Sequence, residues 1–244
     1  MRRGLEASLA TPDDKARYVR RLFATIADRY DLITRVLSYG LDASWKRRLV
    51  AMADAVPGSA LDLACGTGDL SYALCARGRT VVGLDITPRM IELAVARGST
   101  AARSHFCRSM TFLVGDMTML PFADASFDVI TTGYGLRNVA RLEPAIDEVR
   151  RVLRPRGVFL SLDFDRPDVR PVRWVYLTYL TIVGSALGWL LHGDPDTYRY
   201  IPESIKRYPG ASEVARLLAA RGFTASTVVP VLGGLMAINT ARRA

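Results

Sequence analysis

One stretch of sequence decides the fold of this chain: Ser59-Ala60-Leu61-Asp62-Leu63-Ala64-Cys65-Gly66-Thr67-Gly68-Asp69-Leu70. Its apolar beginning is typical of a short, buried strand of a parallel sheet. Gly66 and Gly68 follow at once, and a helix is predicted over Asp69–Arg77. Glycine lets the backbone pass close to a ligand because no Cβ intervenes. Since open α/β sheets bind ligands at the carboxyl ends of their strands, this stretch predicts a nucleotide-binding turn.

The residues around the turn distinguish between nucleotides. A phosphate-binding P-loop needs Gly-Lys-Ser/Thr, which is absent, and Ser71 stands where a dinucleotide fingerprint has a third small residue, Gly or Ala. Asp62 would repel a pyrophosphate but attract the ammonium and sulfonium groups of S-adenosylmethionine. Asp85, at the end of the next predicted strand, is placed to accept both ribose hydroxyls. The two acids favour S-adenosylmethionine; a dehydrogenase and a turn without a ligand are the alternatives.

Composition limits the remaining possibilities. The 244 residues suit one α/β domain with an extension. The net charge of +9 is spread along the chain, so it fits nucleic acid, an acidic membrane face or a merely solvated surface. The 3 cysteines lack Cys-x-x-Cys spacing and there are only 2 histidines, which argues against a zinc site, a disulfide framework and a histidine triad. We therefore expect a cytoplasmic protein, and Met1–Ala10 lacks the apolar core of a secretory signal.

Predicted strands and helices alternate after residue 59, which implies a parallel sheet with right-handed crossovers. Further strands are predicted over residues 80–85, 110–114, 127–132 and 158–164, followed by a terminal hairpin of 223–230 and 235–240. The expected class is α/β: a doubly wound, mostly parallel, seven-stranded Rossmann-like sheet with a terminal antiparallel hairpin, the methyltransferase variant of this fold. The polar stretch 97–109 is expected to be a loop.

The expected domain organisation has two parts. Residues 1–56 are predicted to form cap helices, over 12–29 and from Asp42, that pack on a methyltransferase domain of residues 57–244. Within that domain, residues 165–210 are predicted to form a lid or substrate insertion.

The insertion contains an apolar segment, Trp174–Leu191, that carries no charge and is interrupted by small and polar residues. Three interpretations remain open: a membrane span, a buried core helix, and an apolar lid that touches the bilayer. Arg166, Arg170 and Arg173 precede it and would suit anionic headgroups. The stretch from Asp194 to Ile205 is expected to be a polar and aromatic loop followed by a short helix.

Residues that follow the third and fourth strands are the remaining candidates for a site at the sheet edge. Asp116 is placed to accept from an adenine amino group, with Met117 packing on the ring. The small residues of Gly133-Tyr134-Gly135 would let the methyl-donor end lie close to the backbone, and Arg137-Asn138 come next, at the expected reaction mouth.

Several motifs extend this pattern over nearly the whole chain from Tyr18. They are Phe23-x-x-Ile26-Ala27-x-x-Tyr30-Asp31, Leu37-Ser38-Tyr39-Gly40, Asp62–Leu70, Gly135-Leu136-Arg137-Asn138-Val139 and Tyr198-Arg199-Tyr200-Ile201-x-Glu203-Ser204-Ile205. Together they resemble the ubiquinone/menaquinone biosynthesis C-methyltransferase family. The chain departs from that family's pattern at Ile33-Thr34, where Met-Asn is usual, at Asp42, where His is usual, and at Asp163, where Glu is usual. These departures bear on which quinone is used.

The resemblance implies methyl transfer from S-adenosylmethionine to a ring carbon of a polyprenylated hydroquinone, of the demethylmenaquinol or ubiquinol-precursor type. Arg137 is then implied either to polarise a water that takes the ring hydroxyl proton or to stabilise the phenolate. The implied roles are catalytic for Arg137, Asp163 and Tyr200; cofactor-binding for Asp62, Gly66, Thr67, Gly68, Asp85, Ile86, Asp116, Met117 and Gly133; and substrate-binding for Tyr30, Tyr134, Asn138 and Arg199. For Arg199, a surface ion pair with Asp196 is the alternative. No metal is implied.

Two other functions stay open. A relative of the family could methylate a different lipophilic or secondary-metabolite acceptor. A nucleic-acid methyltransferase is less compatible, because amino-methyltransferases of that kind carry Asn/Asp-Pro-Pro-Tyr where this chain has Thr132-Gly133-Tyr134-Gly135. The expected partners are a polyprenylated quinol and a peripheral membrane surface, with no specific nucleic acid; a homo-oligomer is compatible with the sequence.

Overall fold

A seven-stranded sheet forms the centre of the molecule. The computed structural model describes residues 5–100, 109–165, 167 and 169–244. The strands are β1 (Ala60–Leu63), β2 (Thr80–Asp85), β3 (Ser109–Val114), β4 (Phe127–Gly133), β5 (Leu153–Phe164), β6 (Phe223–Val231) and β7 (Met236–Arg243). Their order across the sheet is β3-β2-β1-β4-β5-β7-β6. Strands β1 to β5 are parallel and β7 is antiparallel to both β5 and β6, which confirms the predicted fold class.

Ten helices surround the sheet in the described ranges. They are α1 (Leu5–Ser8), α2 (Pro12–Ile26), α3 (Tyr30–Leu37), α4 (Asp42–Ala53), α5 (Asp69–Cys75), α6 (Pro88–Thr100), α7 (Leu142–Val152), α8 (Arg170–His192), α9 (Asp196–Arg207) and α10 (Ala211–Ala220). Apolar side chains cover both faces of the sheet. One cluster brings α7 and α10 onto it through residues such as Ile146 and Leu218, and the other brings α4 and α5 through Leu49 and Leu74.

The N-terminal helices differ in detail from the prediction. Thr11 caps α2, since its hydroxyl accepts from the Asp14 backbone N–H at 3.1 Å. However, α2 ends at Ile26, and after a short 3-10 turn the chain forms the separate helix α3, which the sequence pattern did not predict. A third apolar cluster joins α2 and α3 to α9 through side chains that include Leu22, Leu37 and Tyr198.

The apolar segment lies in α8, a continuous helix of 23 residues without the expected break. Only a narrow face, with Leu180, Gly184 and Gly188, is buried. A Cβ on Gly188 would lie 2.5 Å from the carbonyl oxygen of Asp194, so the start of α9 packs directly on the helix backbone. The interpretation of this segment as a buried core helix is therefore wrong. By length and composition α8 could cross a membrane.

Three smaller expectations also need correction. The stretch from Asp194 to Ile205, expected to begin as a loop, is helical from Asp196 onward in α9, and α6 continues through Thr100, so the loop predicted from Arg97 starts later. Residues 101–108 and Arg166 lie outside the described residues. Cys65 is a free, buried cysteine, but Cys75 is disulfide-bonded, a bond that the cysteine spacing, which argued against a disulfide framework, did not predict.

Candidate active site

The carboxyl ends of strands β1 to β4 surround a cavity of about 840 Å³, which we call the strand-end cavity. Parallel strands place these ends at one edge of the sheet, as the sequence predicted. Helix α2 covers the cavity with Ala16, Val19 and Phe23. Of the residues expected to bind cofactor or substrate, nine line it: Tyr30, Gly66, Asp85, Ile86, Asp116, Met117, Gly133, Tyr134 and Asn138.

The glycine turn is held in a left-handed conformation. Ala64 has φ +50°, Gly66 +54° and Gly68 +88°. Such angles cost little for glycine but are uncommon for alanine, and they concentrate at binding sites. The two glycines differ in role. A Cβ on Gly66 would point at the ring of Tyr30, whereas one on Gly68 would meet Phe112 and Tyr72 at 3.0 Å, so Gly68 serves packing and does not line the cavity.

Asp85 joins the turn to the second strand. Its carboxylate accepts from the backbone N–H of Gly66 at 2.9 Å and from that of Thr87 at 2.8 Å. Burial raises the pKa of Asp85, and these hydrogen bonds oppose the rise. The carboxylate thus lies fixed at the cavity wall beside Ile86, where it can accept hydrogen bonds from a ligand's hydroxyls.

Asp62 lies one layer behind the cavity. It is fully buried and accepts from the hydroxyls of Ser71 at 2.6 Å and Thr131 at 2.9 Å, and burial raises its pKa to about 6. It lines a smaller adjoining void together with Lys46 and Thr67, and not the strand-end cavity itself. Asp62 can therefore contact only the part of a ligand that enters this void.

The floor of the cavity is formed after β3 and β4. The carboxylate of Asp116 accepts from the backbone N–H and the hydroxyl of Thr118, at 2.8 and 2.7 Å, which fixes its position at the rim beside Met117. A Cβ on Gly135 would overlap the hydroxyl of Thr132. The backbone can therefore form the floor only if this residue is glycine.

The electrostatics of the cavity fit a cationic ligand. Within the part of the chain that the structure describes, Asp85 and Asp116 line the cavity and no Lys, Arg or His does. A pyrophosphate would lack a cation to pair with, whereas a sulfonium compound with ribose hydroxyls and an adenine amino group finds acceptors. These residues fit S-adenosylmethionine.

A second cavity of about 750 Å³, which we call the aromatic cavity, adjoins the first. The two share Phe23, Tyr30, Tyr134 and Asn138. Most of its other lining side chains are aromatic or aliphatic, from α2, α3, α4, α8, α9, the turns that follow α3 and β6, and the ends of β5 and β7: Leu22, Ile26, Leu37, Tyr39, Trp45, Phe164, Tyr176, Tyr198, Tyr200, Ile201, Leu232 and Met236. Arg137 is the one charged residue among the described residues that line it. The cavity suits a flat, largely apolar molecule.

Arg137 is buried and held from several directions. Its Nε donates to Asp163 Oδ1 at 3.3 Å, its backbone N–H donates to Asp163 Oδ2 at 3.0 Å, and its Nη1 donates to the hydroxyl of Ser204. The guanidinium lies 5.0 Å from the ring centroid of Phe164 and 6.0 Å from that of Tyr200. Burial raises the pKa of Asp163, while Arg137 and the hydrogen bonds lower it, so the two form a buried ion pair.

Lys15 of α2 supports the same turn, and the sequence did not point to it. Its ammonium donates to the carbonyl oxygens of Arg137 at 2.9 Å and Val139 at 2.6 Å. Burial and the nearby Arg137 lower its pKa to about 8. Because both partners are backbone carbonyls, no sequence motif could have revealed the contact. Ser204, by contrast, stands inside a motif that the sequence did single out.

The remaining predicted residues separate into two groups. Tyr200 donates to Asn138 Oδ1 at 2.8 Å, and Asn138 Nδ2 donates to the Tyr134 carbonyl at 2.7 Å, so these three lie together at the junction of the cavities. Arg199 lies elsewhere. It forms a half-exposed ion pair with Asp196 at 2.8 Å and lines neither cavity, so the expected substrate contact is not supported.

Solved structures of other proteins share this fold. A methyltransferase from Thermotoga maritima, described as a possible histamine N-methyltransferase, matches with a TM-score of 0.66 at 18% identity over 93% of this chain and 100% of that chain. Magnesium protoporphyrin IX methyltransferase from Synechocystis, solved with bound SAH, matches with a TM-score of 0.63 at 19% identity over 94% of this chain and 100% of that one. At such identities the likeness concerns the fold alone.

Sequence relatives are much closer. Demethylmenaquinone methyltransferase from Thermus thermophilus is 42% identical over 83% of this chain and 91% of its own length. Ubiquinone/menaquinone biosynthesis C-methyltransferase UbiE from Zymomonas mobilis is 33% identical over 94% of each chain. The model of the ubiE/COQ5 methyltransferase family matches residues 11–243, which include both cavities and all the motifs around them. With a cation-free cavity at the glycine turn and this match, the chain belongs to the ubiE/COQ5 methyltransferase family and is an S-adenosylmethionine-dependent methyltransferase.

Proposed function

We propose that this enzyme methylates a ring carbon of a polyprenylated hydroquinone, of the demethylmenaquinol type, in respiratory quinone biosynthesis. The observation that supports this most directly is the contact between the two cavities: a cation-free cavity at the strand ends adjoins an aromatic cavity whose charged lining residue is Arg137. The names of the relatives favour the same acceptor. The enzyme is cytoplasmic, and its contact with the membrane is a separate proposal below.

The chemistry requires an activated ring carbon. When bound, S-adenosylmethionine supplies an electrophilic methyl group on a positively charged sulfur. A ring carbon becomes nucleophilic enough only when the neighbouring hydroxyl loses its proton and its oxygen donates electron density to the ring. Arg137 is a poor base because a guanidinium has donor N–H groups and no acceptor atom. Its role is electrostatic: the buried guanidinium stabilises the developing phenolate, and such contributions are large in a site that excludes water.

The other predicted residues position the reactants. Asp163 and Ser204 fix the guanidinium of Arg137, and Tyr200 and Asn138 bind each other at the junction of the cavities. We propose that the strand-end residues Gly66, Asp85 and Asp116 hold the cofactor, with Tyr30 and Tyr134 between donor and acceptor. Holding methyl and carbon about 3–3.5 Å apart in line supplies a large share of the acceleration.

The proposed acceptor can be tested directly. The purified enzyme, given labelled S-adenosylmethionine and reduced demethylmenaquinone in detergent micelles, should transfer the label to the quinol, with ubiquinol precursors and unprenylated naphthols as competitors. Labelled menaquinone is identified by chromatography and mass spectrometry. Labelling of a non-quinone lipid extract in preference to every prenylated hydroquinone would instead establish the alternative, a methyltransferase for another lipophilic acceptor.

Loss of the Asp85 carboxylate should abolish most cofactor affinity. In Asp85→Ala, the ligand loses its hydroxyl acceptor and the Gly66 N–H loses its partner, so we expect the cofactor dissociation constant to rise at least about 30-fold, since hydrogen bonds to charged groups contribute about 1.5–3 kcal/mol. Titration calorimetry with S-adenosylhomocysteine measures this. Asp124→Asn, at an exposed surface carboxylate, is the matched control and should bind normally. Equal affinities for both variants would refute the role of Asp85.

Replacement of Arg137 should affect turnover and leave cofactor binding intact. We choose Arg137→Lys because it keeps a positive charge beside Asp163, whereas alanine would leave that buried carboxylate unpaired. Lysine cannot reproduce the forked contacts, so kcat should fall about 10²–10³-fold, as for loss of one oxyanion donor. Arg154→Lys, at a surface ion pair with Asp128, is the control. A kcat near that of the wild type would make Arg137 merely structural.

We further propose that α8 docks the enzyme on the membrane that holds the quinol. From Trp174 onward the outward face of the helix is uncharged, and its exposed side chains are large: Trp174 (70%), Val175 (59%), Ile182 (64%), Trp189 (68%) and Leu190 (71%). The packed face with Gly184 and Gly188 lies against α9. Because one side of α8 is held by the protein, the helix suits a position along the membrane interface and not a crossing.

The neighbourhood of α8 supports a lipid surface as the partner. Tyr39 stacks on Tyr179 of α8 at 5.4 Å, which joins α8 to the exposed apolar residues Leu32 and Val36 of α3. Tyr39 and Tyr176 also line the aromatic cavity, so this apolar surface borders the place where the acceptor would bind. Arg170 and Arg173 lie at the start of the helix, where anionic headgroups would attract them.

Membrane docking predicts a specific loss on vesicles. The double variant Trp174→Ser/Trp189→Ser should bind vesicles of mixed neutral and anionic phospholipid about 10–100-fold more weakly in a sedimentation assay, since burying a large apolar side chain contributes about 1.5–3 kcal/mol. Val95→Ser/Met119→Ser removes two equally exposed apolar side chains elsewhere and should bind like the wild type. If the wild type does not sediment with the vesicles, or if both double variants lose binding equally, α8 is not the docking surface.

A further inference from the structure

Tyr134 lines both cavities, but its hydroxyl makes a contact that the expected substrate-binding role does not explain. It follows β4 with φ +61°, a conformation that is rare and costly for a bulky residue and therefore points to function. Its backbone N–H donates to the Leu162 carbonyl at 2.7 Å, which fixes the residue on the sheet. Its ring packs on Phe164 with centroids 5.5 Å apart. The hydroxyl donates to Asp42 Oδ1 of α4 at 2.5 Å.

A chain of polar contacts continues from Asp42 to the surface. Its second carboxylate oxygen, Oδ2, lies 2.7 Å from Lys46 Nζ, which is also 2.8 Å from Asp69 Oδ2, and Asp69 pairs with Arg97. Asp42, Lys46 and Asp69 line a polar cleft on the outside of the cap, and that cleft is separate from both cavities. The contacts therefore link the wall of the reaction site to solvent by a path that does not pass through the acceptor's apolar surroundings.

From this arrangement we infer that Tyr134 and Asp42 form the proton exit of the methylation reaction. The inference rests on the proposed function. C-methylation of a hydroquinone replaces a ring C–H by C–CH₃ and must release one proton per turnover. Arg137 cannot accept it because a guanidinium has no acceptor atom. Tyr134 lines both cavities and donates a hydrogen bond directly to the carboxylate of Asp42.

The proton balance of the step is as follows. The ring hydroxyl gives its proton to the oxygen of Tyr134 while the proton of Tyr134 passes to Asp42, so no tyrosinate accumulates. The electron pair left on the ring oxygen drives formation of the carbon–methyl bond as the carbon–sulfur bond breaks. The proton on the methylated carbon is then transferred to the ring oxygen, which restores both the hydroxyl and the aromatic ring. The one proton on Asp42 is the net product and is released to the cleft.

The charges around Asp42 agree with this role. The charged groups that line the cleft with it are Asp31, Arg35, Lys46, Arg47, Asp69 and Arg97. Burial lowers the pKa of Lys46, but Asp69 and Asp42 outweigh burial and hold that pKa above its usual value; Lys46 keeps Asp69 as a carboxylate partner when Asp42 accepts a proton. Burial, and then Asp42, raise the pKa of Tyr134, which keeps the phenol protonated between turnovers. Tyr134 is thus the catalytic residue, and Asp42 acts through it.

The test compares Tyr134→Phe and Asp42→Asn in the methyl-transfer assay. Each should lower kcat about 10²-fold, within the usual range for general acid–base groups. The double variant should be no slower than the slower single variant, because both remove the same path. The cofactor dissociation constant and the thermal unfolding midpoint should stay close to those of the wild type. The matched control is Tyr208→Phe: Tyr208 is a buried tyrosine whose hydroxyl has no hydrogen-bond partner within the described ranges and which lines neither cavity.

A second measurement separates proton transfer from a structural role. A prenylated hydroquinone with an electron-withdrawing ring substituent ionises more readily, so the ratio of wild-type to Tyr134→Phe kcat should shrink at least about fivefold on this substrate. A ratio that is the same for both substrates, or variants as fast as the wild type, would overturn the proton exit while leaving the proposed function intact. If the wild type methylates no hydroquinone at all, the proposed function fails, and the proton exit fails with it. Should Asp42→Asn not fold, the near-isosteric Tyr134→Phe carries the test alone.

Discussion

The hydrogen bond from the Gly66 N–H to the Asp85 carboxylate is the contact on which the site depends. It joins the turn after β1 to the end of β2 and so stabilises a backbone path that runs through left-handed residues, one of them the alanine at position 64. Without that partner, the turn would carry a buried N–H with no acceptor, which costs about 1–3 kcal/mol. The same carboxylate then faces the cavity. One side chain therefore both shapes the turn and presents acceptors to the ligand.

The acceptor side depends on a different interaction with a larger desolvation cost, the buried ion pair of Arg137 and Asp163. Desolvation of two charges offsets much of their attraction, so such a pair is weak evidence for stability and persists where other contacts support it. Here the support comes from distant parts of the chain: Ser204 from α9 and Lys15 from α2. The orientation of the guanidinium thus depends on the cap helices and the insertion being in place, and the sheet alone could not fix it.

The sequence allowed the cofactor side to be predicted far better than the acceptor side, and the reason is locality. Gly66, Asp85 and Asp116 each follow a strand whose apolar run is visible in the sequence, and the parallel topology then brings them together. Lys15 and Arg137 are 122 positions apart and meet through a backbone carbonyl, for which no side-chain pattern exists. Asp62 is predicted to contact the ligand because an acid near the glycine turn would attract a sulfonium, but the sequence does not show that Ser71 and Thr131 already donate to its carboxylate. In α8, the uncharged stretch Trp174–Leu191 is compatible with burial in protein and with exposure to lipid, so the sequence alone does not distinguish the two.

Helix α2 connects the two sides. Val19 covers the strand-end cavity, Leu22 covers the aromatic cavity, and Phe23 lies over both. Its Lys15 donates to carbonyls on either side of Asn138, the residue at the junction. Helix α2 therefore covers both the donor and the acceptor and excludes water from them. A displacement of α2 that admitted either reactant would also disturb the turn that carries Arg137. Because Lys15 of the same helix donates to the Arg137 carbonyl, the element that covers both cavities also supports the turn that carries Arg137.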